Sequence, residues 1–219
     1  MRNVMMFFVL IFILSINAFC AKPFQGKVTL TLKGNEENGT IILYAQGQKV
    51  KMEPHLQQLE QKLWLVLDNT TRQMTLVFED QAMYMTMALE MMKTMGQRAL
   101  PGLGGKEGKR FDKKPTATGK IKTILGHECH QYIIHDDNTT TEMWVAHDLG
   151  TFPQMLGLPI PQYIGNEDFA FFPLEVTVKG DDNDTMTITA TEVSTVKQDD
   201  SQFVPPASYK KVDLFGGGH

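Results

Sequence analysis

KLWLVLDNTTRQMTLVFEDQAMYMTM, residues 62–87, holds three short runs with strand period, separated by Asn69-Thr70-Thr71 and by Glu79-Asp80. Alternation of large apolar residues over six or seven positions is the pattern of a β-strand, and polar breaks of two to four residues are the length of hairpin turns. In the first run Leu63, Leu65 and Leu67 alternate with Trp64 and Val66, so both faces are apolar and both are expected to be covered. A meander of antiparallel strands with something packed against it follows.

The same reading extends outward in both directions. QGKVTLTLK (25–33) alternates Val28, Leu30 and Leu32 with Lys27, Thr29 and Thr31, and TIILYAQGQKVKME (40–53) reads as a second strand in which Gly47 marks a bulge or bend. Downstream, KIKTILG, HQYIIHD, TEMWVAH, PLEVTVKG and TMTITATEVSTV return to strand period, with Asp181 to Asp184 as a turn. Two segments carry helical spacing: HLQQLEQKL (55–63) behind Pro54, and Ala88 to Arg98 with Leu89, Met92 and Met95 on one side. Residues 99–118 are glycine-rich and basic, the composition of a solvated loop, and Thr151 to Phe172 is rich in Pro, Gly and aromatics, as an irregular cover segment would be. The sum is about nine strands and two or three short helices without βαβ alternation. The expected fold class is α+β, mainly antiparallel β: a strongly curled sheet or incomplete barrel covered by short helices.

The ends and the composition set the context. Met1 to Asn3 is cationic and Val4 to Ile16 is apolar apart from Ser15, the n-region and h-region of a secretory signal that ends near Cys20. The run is shorter than the roughly 20 residues a spanning helix needs, so a transmembrane protein is not expected. Ala18-Phe19-Cys20 before Ala21 fits a small-x-small cleavage site; lipidation of Cys20 is the alternative, disfavoured by bulky Phe19. The organisation expected is a signal peptide over 1–20, one β-rich domain over 21–215 and a tail over 216–219. Losing Arg2 with the signal moves the formal charge from −4 to −5, and a mildly acidic domain offers no electrostatic footprint for nucleic acid. Export places the chain in the periplasm or outside the cell, and Cys129 alone then survives, so the fold rests on packing without an internal disulfide.

Chemistry-bearing residues are sparse. His127, Cys129 and His130 stand in GHECH with His135 and His147 nearby, but on a strand 127 and 129 face one way and 130 the other, so they do not converge on a metal. Cys129 reads as a small buried hydrophobe, and no nucleophile, base and orienting group can be assembled, so neither an enzyme nor a cofactor is expected. Methionine is the unusual feature. Met83, Met85 and Met87 line one strand face and Leu89, Met92 and Met95 one helix face; with Trp64 and Val66 they form the candidate wall of an apolar cavity. Solid core is the plain alternative for these side chains, and Cu(I) ligation by thioethers a third.

The order QGKVTLTLKG, QGQKVKME, LVLDNTTRQMTLVFEDQAMYMTM, TATGKIKTILGHECHQYII, TEMWVAHDLG and FVPPASYKKVD resembles an uncharacterised bacterial exported family, domain of unknown function 4412, over nearly all of the mature chain. The resemblance implies kinship with the lipoprotein carriers typified by LolA and LolB, whose incomplete barrel, closed by short helices, surrounds a lipid-sized cavity. It implies no catalytic residues. The function expected is an exported, non-catalytic binding module for an apolar small molecule or lipid, with envelope proteins as further partners. A metal-handling protein using Met and His/Cys side chains and a structural envelope protein are the alternatives. The signal reading has a direct check: intact-mass analysis of the exported protein is expected to give a chain starting near Ala21, whereas a chain retaining Met1 or starting at an acylated Cys20 would overturn it.

Overall fold

The computed structural model describes residues 22–34, 38–91, 114–136, 138–153, 172–180 and 185–213. Outside them lie the expected signal peptide, Cys20, residues 92–98 of the second expected helix, most of the basic loop and of the cover segment, the Asp181 to Asp184 turn and the tail.

Among the described residues, twelve strands form one sheet: β1 Gly26–Lys33, β2 Asn38–Gln46, β3 Lys49–Leu56, β4 Leu63–Asp68, β5 Gln73–Phe78, β6 Met83–Ala88, β7 Thr116–Ile124, β8 His127–Asp136, β9 Thr139–Ala146, β10 Phe172–Lys179, β11 Thr185–Ser194 and β12 Lys210–Lys211. Their order is β12-β6-β5-β4-β3-β2-β1-β11-β10-β9-β8-β7. Two meanders, β1 to β6 and β7 to β11, are thus joined by a single antiparallel ladder between β1 and β11. Every pairing is antiparallel except the short parallel one of β12 on β6, and the sheet stays open, with β12 and β7 at its edges.

Directly opposed residues share a face, so the registers trace apolar rows across the sheet. One runs Val28, Leu43, Met52, Leu65, Leu76, Met85. A second runs Ala45, Val50, Leu67, Met74, Met87, and a third crosses the other meander as Leu32, Ile188, Val176, Met143, Tyr132. This is the core face, and from Val28 to Leu76 and from Leu32 to Met143 these residues are buried.

On the back face Trp64, Val66 and Val77 pack with Phe203 from a 3-10 helix at Asp200–Phe203, alongside Tyr44, Tyr84 and Tyr209. Asp199 caps that helix by accepting from the Ser201 N–H at 2.8 Å, and Gln46 Nε2 donates to Asp200 at 3.1 Å, which ties the segment to the β2 end. Within the main core Phe172 packs against Phe24 and Phe152, with ring centroids 4.8 and 5.1 Å away. The N-terminal segment reaches that position because Gly150, at φ +83, lets Lys22 pass so close that a Cβ would stand 2.2 Å from its carbonyl oxygen.

Three expectations need correction. Residues 40–53 are two strands: Gly47 at φ +59 is the first central residue of a two-residue hairpin turn, where a positive φ at that position alone fits a type II′ turn. HLQQLEQKL is no helix. Pro54, His55 and Leu56 complete β3 opposite Ile41, Thr40 and Gly39, Leu56 packs on the core, and the Leu59 N–H donates to the Leu56 carbonyl in the loop that follows. Pro54 is tolerated there because the β3–β4 ladder has already ended at Met52. The cover of short helices is also absent from the described residues, whose helical content is Leu89–Met91 and the 3-10 helix.

Phe203 is buried on a segment otherwise rich in exposed residues, so it anchors the C-terminal cover. Phe203→Ala is expected to cost about 3 kcal/mol in chemical denaturation. A loss under about 0.5 kcal/mol would mean that the segment contributes little to the fold.

Candidate functional site

The methionine row lies where alternation placed it. Met83, Met85 and Met87 oppose Phe78, Leu76 and Met74, so all three belong to the core face. Their burial differs from that of their partners: Met74 and Leu76 are 1% exposed, while all three β6 methionines are only half-buried. Met85, Met87 and Leu89 pack against the main core from its margin. Met92 and Met95 lie outside the described residues.

Trp64 and Val66 do not join this row. They oppose Val77 and Thr75, which places them on the back face beneath Phe203. The indole of Trp64 is capped by Lys51, whose Nζ stands 4.2 Å from the ring centroid and 2.6 Å from Glu53 Oε1. A cation over an aromatic face with a carboxylate beside it is a closed, satisfied arrangement. The described residues of the expected wall therefore divide between two faces.

In GHECH, Gly126 closes a turn with Leu125 in which both residues have positive φ, and His127 to His130 open β8. His127 Nδ1 lies 2.7 Å from Asp148 Oδ2, and His130 Nε2 lies 3.2 Å from Glu128 Oε1. Cys129, fully buried, faces Lys122 and Ala146 across the two ladders and donates to the His127 carbonyl at 3.5 Å. Burial pushes its thiol upward and outweighs the opposing hydrogen bond from the Ile124 backbone, with lesser effects of Asp148 upward and Lys122 downward.

Sequence reasoning passed over Tyr132. It shares the core face with His130, its hydroxyl lies 3.1 Å from His147 Nε2, and the His130 and His147 rings are 5.4 Å apart. Burial raises the phenol of Tyr132 above its ordinary range. The signal was present in the alternation His130, Tyr132 along one strand, but the partner His147 comes from the end of the next.

Residues 24–209 match the model of DUF4412, a domain of unknown function. The chain belongs to the DUF4412 family. No curated protein matches it. Among solved structures, an uncharacterized conserved protein from Thermus thermophilus is similar at 9% identity and a TM-score of 0.51, covering 86% of this chain and 91% of that one. This likeness is one of fold. Structures of PNGF-II in two crystal forms are similar at 13% identity, with TM-scores of 0.43 and 0.44, covering 82% and 86% of this DUF4412 chain. The chain spans only 30% and 31% of PNGF-II.

A raised thiol makes Cys129 a poor nucleophile at neutral pH and subtracts stability as pH climbs past the ordinary thiol range, because the unfolded chain then ionises first. Maleimide labelling at pH 7 is expected only under denaturing conditions. Cys129→Ser is expected to fold with a loss of about 1 to 3 kcal/mol and to bind no less zinc or copper than the parent; rapid labelling of native protein, or stoichiometric metal lost in the variant, would overturn the structural role.

Proposed function

We propose that this DUF4412 protein is an exported, non-catalytic binding module that shelters an apolar ligand such as a lipid or lipoprotein acyl chain. The observation that carries the reading is the fall in burial along the core face, from Leu76 and Met74 to the half-buried Met85 and Met87 on the next strand. Apolar surface left partly in water beside a packed core is unfavourable by about 25 cal/mol per Å², so a molecule that covers it gains that energy. Thioether side chains suit the task because they have many rotamers and a polarizable sulfur, and so adapt to chains of different shape. Kinship with the lipoprotein carriers is part of the same proposal. The metal-handling alternative has less support, since His127 and His130 are each held by a carboxylate and lie on opposite faces of β8.

Met85→Trp and Val66→Ala separate ligand wall from solid core. Filling a wall with an indole is expected to hold or raise the melting temperature while binding of a fluorescent fatty-acid probe falls. Val66→Ala, on the back face, is expected to cost about 2 kcal/mol and leave probe binding intact. A clear drop in the melting temperature of Met85→Trp with unchanged binding, or no binding by the parent, would defeat the proposal.

A further inference from the structure

The sheet has an edge at each end of its strand order, and among the described residues the chain covers only one of them. At the β6 edge the C-terminal segment adds β12 as a further strand: the Lys210 N–H donates to the Ala82 carbonyl at 2.9 Å and the Val212 N–H to the Tyr84 carbonyl at 2.8 Å. At the opposite edge β7 pairs with β8 alone. Their hairpin closes through Leu125 and Gly126, both at positive φ, so Ile124 and His127 are the hydrogen-bonded pair that flanks a two-residue turn. Alternation then turns the N–H and C=O groups of Ile124 and Lys122 to β8 and those of Thr123 and Ile121 outward. A short row of backbone donors and acceptors stands there without a neighbouring strand.

The side chains at this edge define what can add to it. Ile121 is 56% exposed and Leu125, at the turn, is 45% exposed. In a chain of formal charge −4, residues 114–124 carry Lys114, Lys120 and Lys122 and no carboxylate. Lys122 is engaged by Glu175 and lies over Trp144, while Lys114 and Lys120 are exposed. Across the ladder the carboxylate of Glu128 is turned to His130. The lysines also select against a second copy of this chain, because pairing two β7 edges brings like charges together. A bulge at residues 118–120, where Gly119 has φ +78 and the Lys120 N–H donates to Thr118 Oγ1 at 3.3 Å, confines regular pairing to residues 121–124.

We propose that β7 is a docking edge for an extended acidic segment of a partner protein, which adds to the sheet beside residues 121–124 with apolar side chains against Ile121 and carboxylates against Lys120. Ladder hydrogen bonds hold such a segment whatever its sequence, and the side chains select it. One exposed ion pair contributes little, so charge sets the choice of partner more than the strength of binding. The edge lies at the other end of the strand order from β6 and its methionines, and the proposal does not rest on the apolar-ligand reading.

The test uses the full mature protein and a fluorescein-labelled peptide of alternating Glu and Val, followed by anisotropy, with a peptide of alternating Lys and Val as control. The parent is expected to hold the Glu peptide at least about tenfold more tightly at low salt. Thr123→Pro removes an outward N–H and leaves the β8 ladder whole, so it is expected to weaken the Glu peptide about tenfold. Lys120→Glu is expected to weaken the Glu peptide and strengthen the Lys peptide, each about threefold, the scale of one exposed pair. Hydrogen exchange reads the same edge without a mutation: the amides of Ile121 and Thr123 are expected to exchange fast in the free protein and slowly with the Glu peptide bound. Should Thr123→Pro fail to fold, this exchange decides in its place. No binding, equal binding of the two peptides, a preference untouched by Lys120→Glu, or full binding by Thr123→Pro would overturn the proposal. A dimer of the parent that dissociates in Thr123→Pro would overturn it too, and would assign the edge to a second copy.

Discussion

Strand parity is the constraint on which the rest of this molecule depends. A β-strand turns alternate residues to opposite faces, so a slip of one residue anywhere in the sheet would move Leu30, Leu43 or Met52 from the core to the back. The three apolar rows hold their register across both meanders. Even the irregularities respect it: at the β1–β11 shift Thr191 drops out of the pairing, and Leu30 still meets Ala190 as Val28 meets Val193. With one face committed this strictly, the back face is free to be polar in its centre and to carry its own cover around Phe203. Thr29 and Lys27 reach Glu192 across that polar centre at 3.1 and 2.8 Å.

Both tryptophans of the chain lie on the back face and both carry a lysine over the ring, Lys51 on Trp64 and Lys122 on Trp144, each at 4.2 Å. Each lysine also has a carboxylate, Glu53 and Glu175 respectively. The same small motif therefore covers part of a large aromatic surface in each meander, on Trp64 together with Phe203. The lysine stem excludes water from the indole while the ammonium stays partly hydrated.

Much of this was legible in the sequence because half-buried strands announce themselves. Leu30 among threonines and Val176 between Glu175 and Thr177 leave little choice of period, and the meander 62–87 folds as read. Errors came where period and context disagreed. Leu56, Leu59 and Leu63 have helical spacing, yet three leucines in nine residues cannot hold a helix against a strand that already has a partner. Gly47 interrupts a continuous β pattern by one residue, too little for periodicity to register, although φ +59 makes it a turn. The candidate wall divided for a related reason. Alternation says that Trp64 and Leu65 face opposite ways, but only the pairing with Val77 and the contact with Phe203 say which way is which. The Tyr132–His147 contact joins two strands through side chains, a relation that no local pattern encodes.

The ladder between β1 and β11 joins residues 27–33 to residues 187–194, nearly opposite ends of the chain. Every other antiparallel ladder joins strands adjacent in sequence, and five of these hairpins can form locally within β1 to β6 alone. Folding therefore divides into two rapid, independent zippering processes and one slow encounter, in which loop-closure entropy over some 160 positions is lost before the central strands gain their neighbours. Until that encounter the facing edges of β1 and β11 stand unpaired, open to any strand that reaches them first, so the seam that joins the two meanders of the finished sheet is the one most exposed to mispairing while the chain is still folding.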